Sequence, residues 1–231
     1  MAFWVFFDLG GTLLDESMLH RRIYENVADV MNEQGISVSL KELLAVRDRL
    51  IRHGIPHPLL MKVAKEFVAD HARLKEIHLE ALNRMERAEV TTQHAFPEAR
   101  EVLNAASHVA SLGVIADQKR TIREVLQRDG LAPYLLVVAL SEEVGAAKPD
   151  RRLFETALRE AKCAAPDAIM VGDRIDNDIA PAKAIGFRTV RIRSGLFAHQ
   201  EPRRPSELPD EEVTTLREVP GALDRMIRDR R

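Results

Sequence analysis

Cysteine is almost absent from this sequence, because Cys163 is the only one among 231 residues. A single thiol cannot form a disulfide bond within the chain, which excludes a disulfide-stapled secreted domain and fits a reducing compartment. Long apolar runs are also absent, and the N-terminal run from Ala2 to Phe7 ends at Asp8. Such a run is too short for a signal peptide or a membrane span. We therefore expect a cytoplasmic protein that has no membrane partner.

An excess of charge of either sign is also missing. The sequence has 34 Lys and Arg residues against 36 Asp and Glu residues, a formal net charge of −2. Nucleic-acid binding needs clustered positive charge, so we expect no nucleic-acid partner. The composition is 45% hydrophobic and 30% charged, which is ordinary for a globular protein and excludes a disordered one.

Short apolar segments alternate with segments of helical period along most of the chain. The predicted strands are residues 3–7, 113–116, 135–140, 168–171 and 188–192. Their apolar residues are continuous, which is typical of strands covered on both faces. The intervening segments include one from Ala99 to Ala110 and one that follows the N-cap candidate Asp150. This order predicts an α/β fold with a mostly parallel sheet and helices on both faces.

One interval, from about Glu16 to Glu89, shows a helical period throughout. Within it, Ser39 and Glu42 form a capping-box pattern, and a long periodic run extends from Pro58 to Met85. A helical insertion directly after the first strand predicts a separate cap. We therefore predict two domains, a core of residues 1–15 and 90–231 and a helical cap of residues 16–89.

Candidate site residues lie at the ends of four predicted strands. In chain order they are Asp8, Gly10, Gly11 and Thr12, then Ala116, Asp117 and Gln118, then Lys148, and finally Asp173, Asp176 and Asp178. Ligands of parallel sheets bind at the carboxyl ends of the strands, so these residues are expected at one edge. Grouped carboxylates suit Mg²⁺, and a carboxylate beside that ion can attack a phosphoryl group. Glycines after Asp8 allow a sharp turn that brings amide N–H groups near phosphate oxygens.

The segments FFDLGGTL, AAKPD and GDRIDND together resemble the haloacid dehalogenase-like hydrolases, in matching order over nearly the whole chain. The helical interval resembles the cap that many members carry after the first motif. The resemblance implies a Rossmann-like core with Asp8 as the nucleophile. It implies Mg²⁺ held by the Asp8 carboxylate, the main-chain carbonyl of Gly10 and Asp173, with Asp178 assisting.

The resemblance also implies roles for residues around the metal ligands. Lys148 would neutralise the nucleophile and the phosphoryl group, and Thr12 would fix the loop through a hydrogen bond. Substrate binding is predicted for Gly11, Ala116, Asp117 and Gln118. For Asp117 and Asp178, capping of the following helix stays open as an alternative.

Two positions depart from the pattern of the family's phosphatases. These usually carry a general-acid Asp two residues after the nucleophile, where this chain has Gly10, and that group is typically worth roughly 10² to 10⁴ in rate. They usually end the second strand on Ser or Thr, where this chain has Ala116. The first change leaves the implied Mg²⁺ ligands unaltered, because glycine still offers its main-chain carbonyl.

Three functions follow from the sequence. The first is a Mg²⁺-dependent phosphatase that acts on a small phosphorylated metabolite through an aspartyl-phosphate, as a monomer or homodimer. The second is a catalytically weakened relative with a binding or regulatory role, suggested by Gly10 and Ala116. The third is a 2-haloacid dehalogenase, which ranks lower because such enzymes place an aromatic residue where Gly10 stands.

Overall fold

A parallel sheet forms the centre of the structure, a computed structural model that describes residues 3–54, 59–85 and 93–228. The strands, in chain order, are β1 Trp4–Phe7, β4 Ser111–Ala116, β5 Val137–Leu140, β6 Ala168–Gly172, β7 Arg188–Ile192 and β8 Glu211–Val213. They stand in the order β5-β4-β1-β6-β7-β8, and every neighbouring pair is parallel. A separate antiparallel ribbon pairs β2, Leu14–Asp15, with β3, His94–Ala95.

The central position of β1 explains its apolar sequence. Val5, Phe6 and Phe7 are fully buried between β4 and β6, as expected for a strand covered on both faces. Phe6 and Phe154 each make an edge contact with Phe187, with ring centroids 6.0 Å apart in both pairs. The five strands predicted from continuous apolar segments are confirmed, with ends that differ by at most two residues.

Helices alternate with the strands of the sheet along the chain, and the last helix follows β8. They are α5 Ala99–Ser107, α6 Ile122–Arg128, α7 Ser141–Val144, α8 Arg151–Ala161, α9 Ala180–Ile185 and α10 Val219–Arg228. The predicted N-cap of α8 is confirmed, because the Asp150 side chain accepts a hydrogen bond from the Arg152 amide. The predicted fold class, a Rossmann-like α/β core with a mostly parallel sheet, is confirmed.

The interval predicted as helical contains α1 Ser17–Glu33, α2 Leu40–Arg52, α3 Leu59–Lys65 and α4 His71–Met85. The capping box of α2 is confirmed, since Ser39 and Glu42 bond reciprocally. The prediction of one continuous run to Met85 is wrong, because the run breaks between Lys65 and His71. There the Asp70 carboxylate accepts a hydrogen bond from the Arg73 amide at 2.7 Å and begins a new helix. Pro58 lies outside the described residues.

The described chain divides into two compact units. One contains residues up to Asp15, then His94–Ala198 and the segment from Pro202 onward, and the other contains Glu16–Gln93 with His199–Glu201. The predicted boundary between residues 89 and 90 lies outside the described residues, and the core-and-cap division stays a prediction.

None of the described helices combines the length and apolar character needed to cross a bilayer. The cytoplasmic location and the monomeric or homodimeric state stay predictions.

Candidate active site

Strand β1 delivers Asp8 to the carboxyl edge of the sheet. The Asp8 amide donates to the Val171 carbonyl at 2.9 Å, which extends the pairing with β6 by one residue. The chain then turns around the Leu9 carbonyl, which accepts from the amides of Thr12, Leu13 and Leu14 at 3.2, 2.9 and 2.8 Å. This turn holds the Asp8 carboxylate at a fixed position beside the neighbouring strand end.

The two glycines of the turn have different requirements. Gly11 has a φ of +71°, and a Cβ atom there would lie 2.6 Å from Oδ2 of Asp173. Glycine is therefore required at position 11 both for the backbone conformation and for space. The φ of Gly10 lies outside the left-handed region, so the backbone of residue 10 can accept an L side chain.

Lys148 joins the loops after β5 and β6. Its Nζ donates to Oδ1 of Asp8 and to Oδ1 of Asp178, both at 2.6 Å, and its side chain is 1% exposed. Burial alone would lower the pKa of Lys148. The carboxylates of Asp178, Asp8 and Asp117 outweigh that effect and raise this pKa above its usual range. The ammonium therefore stays charged between two buried carboxylates.

The loop after β6 supplies the other two carboxylates. Asp173 follows the last residue of β6, and Asp178 lies in a π-helical turn, Ile175–Ile179. Asp178 accepts from Lys148 through Oδ1 and from the Arg174 amide through Oδ2 at 3.0 Å. The alternative that Asp178 caps the following helix is wrong, because its two oxygens serve these partners instead.

The three carboxylates form one buried cluster. Ligand oxygens of Asp8, Asp173 and Asp178 all lie within 4.8 Å of one another. Burial and the charge of Asp178 raise the pKa of Asp8 to about 7 despite the contact with Lys148. Burial and the charges of Asp178 and Asp8 hold the pKa of Asp173 well above its usual range. When all three carboxylates are ionised, their negative charge therefore exceeds the positive charge that Lys148 supplies.

Asp173 supplies the test of whether a metal ion fits. Its Oδ1 is buried and has no hydrogen-bond partner among the described residues, an arrangement that costs free energy unless a cation or solvent satisfies it. Hard carboxylate oxygens grouped in this way match the ligand preference of Mg²⁺. The residues present fit a magnesium ion.

Thr12 departs from its predicted contact. Its hydroxyl oxygen is buried and makes no hydrogen bond within the part of the chain that the structure describes. The prediction that the Thr12 side chain fixes the loop is therefore wrong, because the main-chain bonds to Leu9 do so instead. The role of Gly11 in substrate binding stays a prediction.

The end of β4 brings the remaining predicted residues to the same edge. Ala116 is fully buried and pairs in register with Leu140. Gln118 lies in the adjoining loop, where its carbonyl accepts from the Ser141 hydroxyl at 3.4 Å. Asp117 accepts from the Lys148 amide at 2.8 Å. Its interpretation as a helix cap is wrong, because α6 begins at Ile122, five residues after Asp117, and its N-cap is Thr121.

Sequence reasoning missed two side chains that support the site. Asn177 donates to Oδ2 of Asp117 at 3.0 Å, and its position beside Asp178 in GDRIDND is a signal that was available. Arg191 in β7 is fully buried, and its Nε donates to the carbonyl of Asp173 at 3.4 Å. No pattern marks Arg191, which is one of the two arginines of β7.

Known hydrolases are similar to this chain over nearly its full length. A glyceraldehyde 3-phosphate phosphatase of Methanopyrus kandleri is 29% identical over 240 aligned positions, which cover 97% of this chain and 98% of the relative. The crystal structure of a 2-haloacid dehalogenase from Pseudomonas syringae pv. Tomato is 26% identical with a TM-score of 0.61, covering 98% of this chain and 100% of that one.

A second solved structure, the magnesium-bound HAD-hydrolase YfnB from Bacillus subtilis, has a TM-score of 0.67 at 17% identity, with 96% of this chain and 99% of that one covered. At that identity the likeness concerns the fold alone. A family model described as haloacid dehalogenase-like hydrolase matches residues 4–186. With most of the chain matched, and with the strand-end carboxylates and lysine gathered at one edge, this protein belongs to the haloacid dehalogenase-like hydrolases.

Proposed function

We propose that this hydrolase is a Mg²⁺-dependent phosphatase that acts on a small phosphorylated compound through an aspartyl-phosphate on Asp8. The observation that carries the proposal is the buried cluster in which Lys148 contacts Asp8 and Asp178 at 2.6 Å each while Oδ1 of Asp173 has no protein partner in the described chain. The full-length similarity to a relative named a phosphatase supports it.

Three groups at the strand ends would hold the metal ion: the Asp8 carboxylate, the Asp173 carboxylate and the main-chain carbonyl of Gly10. Asp178 lies within the same cluster and would assist them. When bound, Mg²⁺ offsets the excess negative charge of the cluster and polarises the phosphoryl oxygens.

The residues of the chain account for the transfer itself. An oxygen of Asp8 attacks phosphorus, and the bond from phosphorus to the leaving oxygen breaks. Lys148 favours the ionised form of the Asp8 carboxylate before the attack and faces the phosphoryl charge during it. Water then attacks phosphorus, which releases phosphate and restores the Asp8 carboxylate.

Residue 10 supplies no side chain for proton transfer in this site. Gly10 offers a carbonyl but no proton, so solvent must protonate the leaving oxygen and deprotonate the attacking water. Without a general acid–base at residue 10, we expect turnover roughly 10² to 10⁴ slower than with one. Ala116 removes one further partner of the phosphoryl oxygens, a loss of about 1 kcal/mol.

Phosphate release from a panel of phosphorylated metabolites tests the proposal. The panel should include triose and pentose phosphates, nucleoside monophosphates and phosphoserine, each with Mg²⁺ and with EDTA. We expect release with Mg²⁺ that Asp8→Asn abolishes. Correctly folded protein that releases no phosphate from the panel, but binds phosphate together with Mg²⁺, would instead support the binding or regulatory role.

The similarity to a 2-haloacid dehalogenase favours a second candidate function. In that reaction an Asp8 oxygen attacks the carbon that carries the halogen, the carbon–halogen bond breaks and halide leaves, with no metal needed. The Asp173 oxygen that has no partner in the described ranges, together with the three closely spaced carboxylates, argues for a metal-dependent site instead. Halide release from a 2-haloacid in EDTA would favour the dehalogenase over the phosphatase.

A further inference from the structure

Asp117 is exposed to solvent, yet both of its carboxylate oxygens bind protein groups. Oδ1 accepts from the Lys148 amide at 2.8 Å, and Oδ2 accepts from Nδ2 of Asn177 at 3.0 Å. An exposed carboxylate that only paired with another surface side chain would contribute little. Here each bond reaches a residue that the structure buries.

The two donors belong to residues that contact or adjoin the carboxylate cluster of Asp8, Asp173 and Asp178. Lys148 carries the ammonium that contacts Asp8 and Asp178, and Asn177 directly precedes Asp178 in the chain. Asp117 itself follows β4. One carboxylate therefore ties together the loops that follow β4, β5 and β6 at the edge where the site lies.

We propose that Asp117 is a positioning residue for the phosphoryl-transfer site, which holds the Lys148 main chain and the Asn177 side chain so that the Lys148 ammonium stays between Asp8 and Asp178. This inference rests on the proposed function. It gives Asp117 a different role from substrate binding, because both oxygens are already engaged within the protein.

Charge strengthens this arrangement. Hydrogen bonds to an ionised carboxylate are roughly twice as strong as those between neutral groups. The negative charge of Asp117 also contributes to the raised pKa of Lys148, after Asp178 and Asp8. Asparagine at position 117 could accept from the Lys148 amide, but its own amide would then face the Asn177 donor. Alanine would remove both acceptors.

The chain offers a matched control in Glu142. Its carboxylate is also exposed and also accepts from a main-chain amide at 2.8 Å, that of Arg120 in the loop after the same strand. Replacing Glu142 with alanine removes one bond of the same length, between the loop after β4 and helix α7, but leaves Lys148 and Asn177 with their partner.

The first arm of the test is steady-state kinetics with Mg²⁺. It compares wild type with Asp117→Ala, Asp117→Asn, Asn177→Ala, the double alanine variant and the control Glu142→Ala. Loss of supporting contacts around a metal or catalytic group typically costs about 10- to 100-fold. We expect Asp117→Ala to lower kcat by at least about tenfold, within that range, while KM changes little. Asp117→Asn should be intermediate, and Glu142→Ala should match wild type.

Asn177→Ala should lower kcat in the same direction, and the double variant should fall short of the product of the two single effects, since the residues act together. A raised KM with unchanged kcat in Asp117→Ala would overturn the inference in favour of a substrate contact. Independent effects of Asp117 and Asn177 would overturn the shared positioning role.

Calorimetric titration of the folded proteins with Mg²⁺ alone forms the second arm and needs no turnover. We expect a weaker Mg²⁺ affinity in Asp117→Ala, by about tenfold, and an unchanged one in Glu142→Ala. If wild type binds Mg²⁺ but shows no phosphatase activity, the proposed function fails and this titration alone decides the positioning role. If wild type is active and Asp117→Ala equals it in both arms, the positioning role fails while the proposed function stands.

Discussion

Gly11 and Asp173 come so close that the space for a side chain at position 11 is already filled by a carboxylate. A Cβ atom on Gly11 would lie 2.6 Å from Oδ2 and 3.1 Å from Cγ of Asp173. The glycine after the Asp8 strand thus makes room for a carboxylate delivered by another strand. The loop after β1 and the loop after β6 therefore pack closely against each other.

Gly11→Ala should therefore weaken Mg²⁺ binding and phosphatase activity together. The left-handed backbone alone costs a non-glycine residue about 1–2 kcal/mol, and the contact with Asp173 adds to it. Gly35→Ala is the matched control, because Gly35 has a φ of +78° and no atom of the described residues lies within 4 Å of the added Cβ. Chemical unfolding should show the backbone cost in both variants, and loss of Mg²⁺ affinity should appear only at position 11. Equal Mg²⁺ affinity in the two variants would contradict this reading.

Gly10→Asp should raise turnover. The φ of Gly10 lies outside the left-handed region, so the backbone accepts the new side chain, and the added carboxyl can donate and accept the protons that the site lacks. A gain of up to roughly 10² to 10⁴ in kcat is the range for such a group. Gly10→Asn is the control of equal size without a titrating proton. If both variants lose activity alike, the pocket is adapted to glycine and the missing-acid argument fails.

Lys148→Met should destabilise the protein in EDTA. Removal of one partner from a buried ion pair typically costs about 3–5 kcal/mol, because the remaining charges have no compensation. Lys183→Met is the comparison, since Lys183 pairs with Asp210 at the same 2.6 Å but with both side chains partly exposed, where about 0–1 kcal/mol is usual. Urea unfolding at pH 8 measures both. A loss no larger for Lys148 than for Lys183 would show that the cluster does not depend on this ammonium.

The free energy of unfolding of the metal-free protein should depend on the ionisation of Asp8 between about pH 4 and pH 7. The pKa of Asp8 is about 7 in the folded protein against 3.8 for the free side chain, so the folded state binds a proton that the unfolded state has lost. The contribution of Asp8 is therefore most favourable below pH 4 and declines as the pH rises toward 7. Urea unfolding of wild type and Asp8→Asn in EDTA at several pH values isolates it. The stability of Asp8→Asn relative to wild type should increase across this window, and a constant difference would refute the shift.

The sequence was sufficient to predict the central strands, because strands such as β1 and β6 are uninterrupted apolar segments. It did not predict β8, whose residues Glu211–Val213 include two acidic ones and which pairs only with β7 at the edge of the sheet. Nor did it predict the break before α4, because the apolar spacing continues across a boundary that the Asp70 side chain sets. Edge pairing and local side-chain bonds leave little trace in hydrophobic periodicity.

The candidate site likewise has a part that the sequence predicts and a part that depends on side-chain contacts. The convergence of Asp8, Lys148, Asp173 and Asp178 was predictable, because parallel strands place their carboxyl ends at one edge. The partners of Asp117 were not predictable, since they depend on side-chain orientation between loops far apart in the chain; Asp117 and Lys148 are 31 residues apart. Nor was the Thr12 hydroxyl, which makes no hydrogen bond among the described residues.

The most direct measurement is a crystal structure of the protein soaked with Mg²⁺ and beryllium fluoride, a mimic of the phosphoryl group. The proposed function predicts beryllium bonded to an Asp8 carboxylate oxygen, Lys148 in contact with the fluoride ligands, and Mg²⁺ held by Asp8, Asp173 and the Gly10 carbonyl. Well-ordered protein with neither ion at Asp8, at saturating concentrations of both, would contradict it.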